Sequence, residues 1–528
     1  MRTFHSYGPV DCRHHFCVAR TEMIESCASQ LVGIPDEGGH FFTIWSPRQC
    51  GKTWLMRQAA DRIARQHPDR FTIAMMSMQG IIMEQADDET VLFRQLARLM
   101  REAFNLVVPA PATWDDWINW FARDAGLFAN PVILFIDEFD SLPPQVIDRL
   151  VTLFRDMYLK RDGYLLHGLA LIGVRAVLGV DSQRGSPFNI QRSLHVPNFT
   201  PEEVTDLFDQ YQAESGQDID PEVVRSVYEA TRGQPGLVGW FGELLTEKYN
   251  PGPEKPIAMP AWDDVYRLAL FKEWNNTVLN LVAKAKGAYR EQILKLFNHS
   301  DMPFSIDTEW CSYAYLHGII DAETIEDATG RKIEVCRFAN PFIQLCIYNA
   351  LSRDMLGDDL PILALDPLDD LADVFDKVEI DLPALLERYK GYLQRLKARG
   401  LNPWQDQPRR SDLRYTEAVG HFHLYFWLQN AVGRLCGVSP EFPTGNGRVD
   451  LHLRCRDRRA VIEVKSFRSQ AELRHSRDQA ANYARRLGLP AITLALFAPL
   501  DDESILAKLS GTHDHDGIAL HVVAIGWV

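Results

Sequence analysis

The stretch that decides the fold reads Phe41-Phe42-Thr43-Ile44-Trp45-Ser46-Pro47-Arg48-Gln49-Cys50-Gly51-Lys52-Thr53. An apolar run, a turn that ends in Gly-Lys-Thr and a helical pattern over residues 54–60 follow one another in the order of a P-loop. Backbone N–H groups at a helix N-terminus hold phosphate oxygens, and the helix dipole favours the negative charge. Gly-Lys-Thr also occurs in ordinary turns, but the flanking strand and helix favour a nucleotide site.

The residue types in this turn suit phosphate and metal binding. Gly51 lets the backbone approach the phosphates, Lys52 reaches the β- and γ-phosphates, and the Thr53 hydroxyl is a ligand for Mg²⁺. Ser46 stands where the pattern usually has glycine, and its small side chain weakens the match only slightly. The candidate nucleotide-binding residues are Arg48, Gln49, Cys50, Gly51, Lys52, Thr53, Asp137 and Arg175.

A second motif, made of the two acidic residues Asp137 and Glu138, ends the apolar run 131–138. A strand buried on both faces of a parallel sheet has this composition, and ligands collect at the carboxyl ends of such strands. Asp137 is predicted to hold Mg²⁺ through water, and Glu138 to orient or deprotonate the attacking water. The alternative is a strand that merely ends in acidic turn residues.

Arginines that could sense or stabilise phosphate charge follow. Arg175 ends the apolar run 169–175, and Arg155 and Arg161 are candidates for an arginine acting in trans. Each of the three could equally be an ordinary surface arginine.

Composition restricts the class of protein. The 528 residues predict three or four domains, and 46% hydrophobic with 24% charged residues is typical of a soluble globular chain. No apolar segment reaches the ~18–20 residues of a membrane span, and the N-terminus lacks an apolar signal core, so a cytoplasmic protein without membrane contact is expected. The net charge of −15 argues against non-specific nucleic-acid binding by the whole surface.

The nine cysteines are scattered and odd in number, which predicts reduced thiols. Cys12 and Cys17 flank His14 and His15, a set that could bind Zn²⁺, but ordinary loop and strand residues are favoured.

Residues 1–250 resemble the AAA-like ATPases of bacteria and archaea, which are related to AAA+ and STAND NTPases. The motifs that carry the resemblance are 47–53, 135–140, Ser186-Pro187-Phe188-Asn189-Ile190 and Gly233-Gln234-Pro235-Gly236. The resemblance implies ATP binding, Mg²⁺ and slow or regulated hydrolysis. A capping box at Thr200 and Glu203 predicts a helix, and the helices that follow predict a small lid.

The middle of the chain divides in two. Prolines at 251–260 suggest a linker, after which three helices and a hairpin at 320–338 resemble a winged helix over residues 251–352. The local sequence is not notably basic, so a packing or interaction role is favoured over DNA contact. Residues 353–408 are expected to be an acidic connector followed by a helix at 382–399.

A second chemical centre is predicted on a hairpin in residues 409–528. Asp450 precedes one strand, and Glu463 and Lys465 lie two apart on its partner, so they share a face. Two carboxylates and a lysine suit phosphodiester hydrolysis, in which Asp450 and Glu463 bind Mg²⁺ and Lys465 orients the water or stabilises the transition state. The alternative is a charged surface hairpin.

Residues 409–500 resemble the PD-(D/E)XK nucleases on Asp450 and Glu463-Val464-Lys465. The resemblance adds Glu417 as a metal ligand on the first helix and Gln479 as a site residue on a later helix, with Mn²⁺ as an alternative metal. Val449 stands in place of the usual proline.

The sequence therefore predicts an α/β protein with a P-loop parallel sheet and helical lid, a winged-helix-like middle and an α/β nuclease-like C-terminal domain. The favoured function is an ATP-controlled nuclease acting on nucleic acid, with DNA preferred and homo-oligomerisation left open. The alternative is a nucleotide-dependent switch or scaffold whose nuclease-like domain binds without cleaving. A translocase or helicase is a third hypothesis, which no motif requires.

Overall fold

The computed structural model describes the chain except for residues 9, 84–87, 126, 174–191, 298–301, 327–329, 357–361, 377–378, 405–416, 434, 441–450, 456–457, 468 and 528. Two of the predicted site residues, Arg175 and Asp450, therefore lie outside the described residues, as does the motif at 186–190. The chain divides into two compact units, Met1–Thr277 with Tyr313–Gly318, and Val278–Ser312 with Ile319–Val528.

A five-stranded sheet in the order β2-β3-β4-β1-β5 organises the first unit, and all its neighbouring strands are parallel. Its central strands β1, β3 and β4 are buried apolar runs, as expected of parallel strands that helices cover on both faces. The predicted α/β fold with a parallel sheet is thus confirmed. The strands are β1 (Phe41–Trp45), β2 (Thr72–Ser77), β3 (Val132–Asp137), β4 (Leu166–Gly173) and β5 (Arg192–His195).

Alternate residues of each strand supply two separate cores. Phe42, Ile44 and Phe135 pack on one face against α1 and α2, and Phe41, Leu134 and their neighbours pack on the other against α3, α4 and α5. The period of two along a strand produces this division. The helices are α1 (Thr21–Val32), α2 (Lys52–Gln66), α3 (Glu89–Phe104), α4 (Trp114–Asn119) and α5 (Pro144–Leu159).

Helices follow the sheet along the chain. α6 begins after Thr200, whose hydroxyl accepts from the Glu203 N–H at 3.2 Å while the Glu203 carboxylate accepts from the Thr200 N–H at 2.9 Å. This is the predicted capping box. The helices are α6 (Pro201–Ser215), α7 (Pro221–Thr231), α8 (Pro235–Glu243) with a π-helical turn at Leu244–Lys248, and α9 (Met259–Phe271).

The middle of the chain contains the predicted helices and hairpin. Antiparallel strands β6 and β7 pair from Ile320 with Phe338 to Glu326 with Lys332. The hairpin at 320–338 is thus confirmed, while its assignment to a winged helix stays a prediction. The elements are α10 (Asn276–Ala285), α11 (Arg290–Leu296), α12 (Glu309–His317), β6 (Ile320–Glu326), β7 (Lys332–Phe338), α13 (Pro341–Leu356), α14 (Ala372–Phe375) and α15 (Leu382–Ala398).

A mixed six-stranded sheet in the order β12-β13-β11-β10-β9-β8 ends the chain. The predicted hairpin is its antiparallel pair β9 and β10, and β10 then runs parallel to β11 after the helix α17. The elements are α16 (Glu417–Val432), β8 (Gly437–Ser439), β9 (Leu451–Cys455), β10 (Arg458–Ser466), α17 (Gln470–Leu487), β11 (Ala491–Ala498), α18 (Glu503–Leu509), β12 (Gly511–His515) and β13 (Ile518–Gly526).

Helices pack on both faces of this second sheet. Leu494 and Leu496 of β11 form a core with residues of α17 and α18. Phe497 points to the opposite face, where it contacts Tyr389 of α15 and Gly420 of α16. The face that carries α17 is the one that matters for the second candidate site.

The prediction of reduced thiols is wrong for four cysteines. Cys12 and Cys17 form one disulfide, and Cys436 and Cys455 form another. Backbone folding brings their Cα atoms to 5.5 Å and 4.3 Å, which scattered positions in the sequence do not reveal.

None of the helices in the described part of the chain combines the length and apolar character that crossing a bilayer needs.

Candidate functional site

The turn between β1 and α2 has a backbone that only certain residues tolerate. Gly51 lies at φ 87° and Gln49 at φ 60°, both in the left-handed region. A Cβ on Gly51 would meet no heavy atom within 4 Å, so conformation and not space favours glycine there. The turn places the N–H groups of the first turn of α2 at the carboxyl end of β1, the expected position for phosphate.

Lys52 lies inside this turn. Its Nζ donates to the carbonyl oxygens of Ser46 at 2.8 Å and Pro47 at 2.7 Å. Burial lowers the pKa of Lys52, and the nearby Cys50 and the carboxylates of Glu138, Asp140 and Asp137 oppose that shift. A buried ammonium needs negative charge nearby to offset the cost of its desolvation. A polyanionic ligand such as a phosphate chain would supply that charge.

The two predicted Mg²⁺ ligands of this site meet. The Thr53 hydroxyl donates to Asp137 Oδ2 at 2.7 Å, across 84 residues of sequence. The other oxygen of Asp137, Oδ1, accepts from the Glu138 N–H at 2.9 Å. A hydroxyl and a carboxylate are oxygen donors of the kind that Mg²⁺ prefers, so the residues present fit this ion.

Glu138 stands beside this pair in an unusual conformation, with φ 52°. Burial, and then the charges of Asp137 and Asp140, raise the pKa of its carboxyl. A raised pKa makes a carboxylate a better proton acceptor, which is what a general base needs.

All of these groups open into one cavity of about 810 Å³. The predicted residues Arg48, Gln49, Cys50, Gly51, Lys52, Thr53, Asp137 and Glu138 all line it. The N-terminal segment supplies another wall, with Phe4, Ser6 and Val18 among its contributors. This wall was not predicted, because residues 1–40 carry no nucleotide-binding motif. Long-range contacts such as the hydrogen bond from the Phe4 N–H to Glu247, 3.1 Å, hold it in place.

The motif at 233–236 docks on the P-loop. The Gly236 N–H donates to the Gln49 carbonyl at 3.0 Å, and the Gln234 side chain donates to the Arg48 carbonyl at 3.3 Å. A Cβ on Gly236 would lie 2.5 Å from the Gln49 side chain. The Gln49 side chain donates in turn to the Ser6 carbonyl at 3.2 Å, so it joins three segments.

Cys50 is enclosed, and burial raises the pKa of its thiol. The Cys50 sulfur lies 3.8 Å from Asn198 Oδ1. Because the side chain is engaged there, Cys50 would contact a bound ligand through its backbone. Arg155 and Arg161 do not line the cavity. Arg161 stacks on Tyr158 at 4.2 Å and reaches Gly38, before the amino end of β1, whereas the P-loop follows its carboxyl end.

Most of the residues that line this cavity lie in a stretch that matches a known family model. The family model described as "AAA-like domain" matches residues 5–248. A search of curated proteins found no match to the chain.

Among solved structures, the Walker-type ATPase PABY2304 of Pyrococcus abyssi is 14% identical, with a TM-score of 0.44 over 65% of this chain and 99% of that one. ORC1 of Aeropyrum pernix in complex with DNA is 15% identical, with a TM-score of 0.32 over 64% and 93%. The RuvB Holliday junction branch migration motor of Thermotoga maritima is 13% identical, with a TM-score of 0.31 over 59% and 91%. These likenesses are distant and support no conclusion beyond that of the family match.

The second candidate site lies on β10 and α17. Glu463 and Lys465 face the same side of the sheet, and Lys465 Nζ lies 3.2 Å from Glu463 Oε1. Their side chains are 2% and 12% exposed. Their partners in β11 are Leu494 and Leu496, which belong to the core beneath α17. The predicted sharing of a face is therefore confirmed.

A small cavity of about 230 Å³ brings Lys465 and Gln479 together. His475 and Glu472 also line it, and Gln479 Nε2 lies 2.9 Å from His475 Nε2. Glu472 and His475 were not predicted from the sequence, although spacings of three and four residues place Glu472, His475 and Gln479 on one face of a helix.

The metal ligands predicted for this site are not brought together in the described structure. Asp450 and the side chain of Glu417 lie outside what is described, and no group of three or more His, Cys, Asp or Glu side chains gathers elsewhere in the described residues. Glu463 is the one proposed ligand that the structure positions.

Proposed function

We propose that this chain binds and hydrolyses ATP with Mg²⁺ at the cavity of the AAA-like domain. The observation that carries the proposal is the convergence of Lys52, the hydrogen-bonded pair Thr53 and Asp137, and Glu138 on one cavity. Phosphoryl transfer depends on positioning and on charge stabilisation, and these groups supply both.

Each residue has a definite task in this proposal. The N–H groups around Gly51 and the ammonium of Lys52 bind the phosphates, and Lys52 exchanges its carbonyl partners for phosphate oxygens. Thr53 and Asp137 would hold Mg²⁺, which would neutralise charge on the phosphates. Glu138 orients the attacking water and accepts its proton.

We further propose that the C-terminal part is a metal-dependent nuclease under the control of ATP. A carboxylate and an ammonium as buried as Glu463 and Lys465 are costly to desolvate, and their pairing is weak evidence for stability alone. In the proposed site Glu463 would bind Mg²⁺ or Mn²⁺ together with Asp450 and Glu417. Lys465 positions the attacking water, and Gln479 contacts the substrate or that water.

The proposed substrate is nucleic acid, with DNA preferred on the resemblance to nucleases. This proposal also includes a winged-helix-like middle, a cytoplasmic location and homo-oligomerisation. It divides the chain into four parts, at 1–250, 251–352, 353–408 and 409–528. The second candidate function is a nucleotide-dependent switch or scaffold. Its nuclease-like domain would bind nucleic acid without cutting it.

Cleavage of plasmid and linear DNA tests the nuclease. We expect strand scission with Mg²⁺ or Mn²⁺, a change in its rate when ATP is added, and a loss of about 10²-fold or more in Glu463→Ala, because the metal loses a ligand. Glu503→Ala, which removes an exposed carboxylate from α18 in the same unit, is the matched control and should cut normally.

The variant Lys52→Ala separates the two parts of the proposal. It should lose ATP binding and the response to ATP, while any cleavage that needs no ATP persists. Scission that survives Glu463→Ala would remove the assigned site. Nucleic-acid binding without scission under any condition would favour the switch.

A further inference from the structure

The edge of the C-terminal sheet carries two arginines side by side. Arg454 of β9 and Arg459 of β10 are direct cross-strand partners, and both are exposed. Like charges directly opposite each other in a sheet repel and destabilise the pairing. A pair of this kind is therefore better explained by an anion bound outside the chain than by the stability of the hairpin.

Neither guanidinium is neutralised by the described part of the chain, where neither has a hydrogen bond or an ion pair. Several basic side chains elsewhere in the same unit are paired with acids. Arg388 pairs with Asp373 at 2.8 Å, Lys390 with Glu387 at 3.3 Å and Arg485 with Asp516 at 3.0 Å. The two hairpin arginines thus keep their charge and their donors available.

The strand register places this pair on the face of the second candidate site. Residues 459, 461, 463 and 465 alternate onto one side of β10, and Val461 packs in the core beneath α17. Arg454, as the partner of Arg459, lies on that same side. At the level of this pair, β8 contributes Gly437, which has no side chain to cover Arg454.

The next row on this face contains Ser439, His452 and Val461. The two rows together, Gly437 with the arginine pair and then Ser439 with His452 and Val461, contain no carboxylate and no Phe, Tyr or Trp. The surface is thus basic and lacks the aromatic platforms on which unpaired bases stack.

We propose that this surface, defined by Arg454, Arg459, Gly437, Ser439 and His452, binds the sugar-phosphate backbone of a double-stranded nucleic acid. Arginine guanidinium groups match phosphate oxygens in a bidentate geometry. Arg459 and Glu463 are four residues apart on one strand, or about 13 Å, which is close to four base-pair steps of a duplex at ~3.4 Å each. The inference rests on the proposed nuclease-type function and names its substrate class.

The test is the salt dependence of duplex binding, measured by fluorescence anisotropy on the full-length chain in EDTA. Without a divalent metal the assay reports binding and not cleavage, so a failed nuclease and a failed binding surface give different results. The probes are labelled DNA duplex, RNA duplex and single-stranded DNA of one sequence.

We expect Arg454→Ala with Arg459→Ala to weaken duplex binding about tenfold or more at ~0.1 M salt. The slope of log affinity against log salt should become less steep by about one to two units. Binding with fewer phosphate contacts releases fewer counterions from the duplex. Arg454→Lys with Arg459→Lys keeps both charges and should keep most of that slope.

Arg94→Ala with Arg149→Ala removes two exposed arginines from α3 and α5 of the other unit, so the net charge changes equally. This control should bind the duplex like the parent. The thermal unfolding midpoint of the Arg454 and Arg459 variant should be unchanged or slightly higher, since a like-charge pair is removed.

Three outcomes would overturn the proposal. They are duplex binding and salt slope unchanged in the double alanine variant, an equal loss in the Arg94 and Arg149 control, and tighter binding of single strands than of duplex. The DNA and RNA duplexes share the recognised chemistry, and their relative affinity states which one is preferred.

Discussion

Glu138 shows how a single residue acquires its chemistry from its position. It follows the last residue of β3, so its side chain leaves the sheet at the edge where the P-loop lies. Its backbone is held at φ 52°, a strained value for a residue with a side chain, and the bond from its N–H to Asp137 Oδ1 helps to fix it there. Burial and two neighbouring carboxylates then raise the pKa of its carboxyl.

This raised pKa predicts a pH dependence of ATP hydrolysis. A general base works only when it is deprotonated, so the rate should fall as the pH falls through the raised pKa of Glu138, at a higher pH than an ordinary glutamate would require. Glu138→Gln should slow hydrolysis about 10²–10⁴-fold and retain ATP binding. It should also lose the fall in rate at low pH, the acidic limb of the pH–rate profile. Steady-state rates between pH 5 and pH 8 measure both effects.

Glu229→Gln, an exposed glutamate on α7, is the control and should keep the rate and the limb. If the Gln variant still showed the acidic limb, another group would be the base.

At the scale of elements, the start of α6 links a local sequence signal to the cavity. The capping box of Thr200 and Glu203 fixes the first turn, and the same Glu203 carboxylate pairs with Arg20 at 3.1 Å. Arg20 is 6% exposed, donates to the carbonyl oxygens of Pro197 and Asn198 and lines the cavity. A motif that is visible in the sequence thus also anchors a residue of the site that was not predicted.

Removing the cap should destabilise the domain measurably. Thr200→Ala should lower the free energy of unfolding by about 1 kcal/mol, because the Glu203 N–H loses its acceptor. Thr200→Ser keeps the hydroxyl and should lie within a few tenths of a kcal/mol of the parent. Urea titration followed by circular dichroism makes the comparison, and equal stabilities of the Ala and Ser variants would show that the cap contributes nothing.

At the scale of the whole molecule, the two candidate sites lie in different units. The P-loop cavity is built by residues of the first unit, and Glu463, Lys465 and Gln479 belong to the second. A substitution in one site should therefore leave ligand binding at the other site unchanged, even if the two activities are coupled.

ATP with Mg²⁺ should raise the thermal stability of the parent chain. Binding to the native state alone adds about 2.7 kcal/mol at a ligand concentration of 100 times Kd. The shift should vanish in Lys52→Ala, because the phosphates lose their buried cation, and persist in Glu463→Ala. Differential scanning calorimetry measures it, and a shift of parental size in Lys52→Ala would place ATP elsewhere.

The regular elements and most of the first site could be predicted because their signals are local. β1 occupies the predicted run at Phe41–Trp45, and β3 ends at the predicted Asp137. Apolar periodicity, a capping box and a turn that needs glycine each depend on residues close in sequence. The sequence alone therefore determined the parallel sheet, the P-loop and those groups of the cavity lining that lie in the P-loop and at the end of β3.

Other features depended on residues that are far apart in sequence. The N-terminal wall, the docking of Gly236 on Gln49 and the disulfide between Cys436 and Cys455 arise from contacts that no local pattern specifies. The register between β9 and β10 likewise sets Arg454 opposite Arg459, and a shift of one residue would send one of them to the other face. Only the tertiary structure decided these features, because each depends on packing between segments.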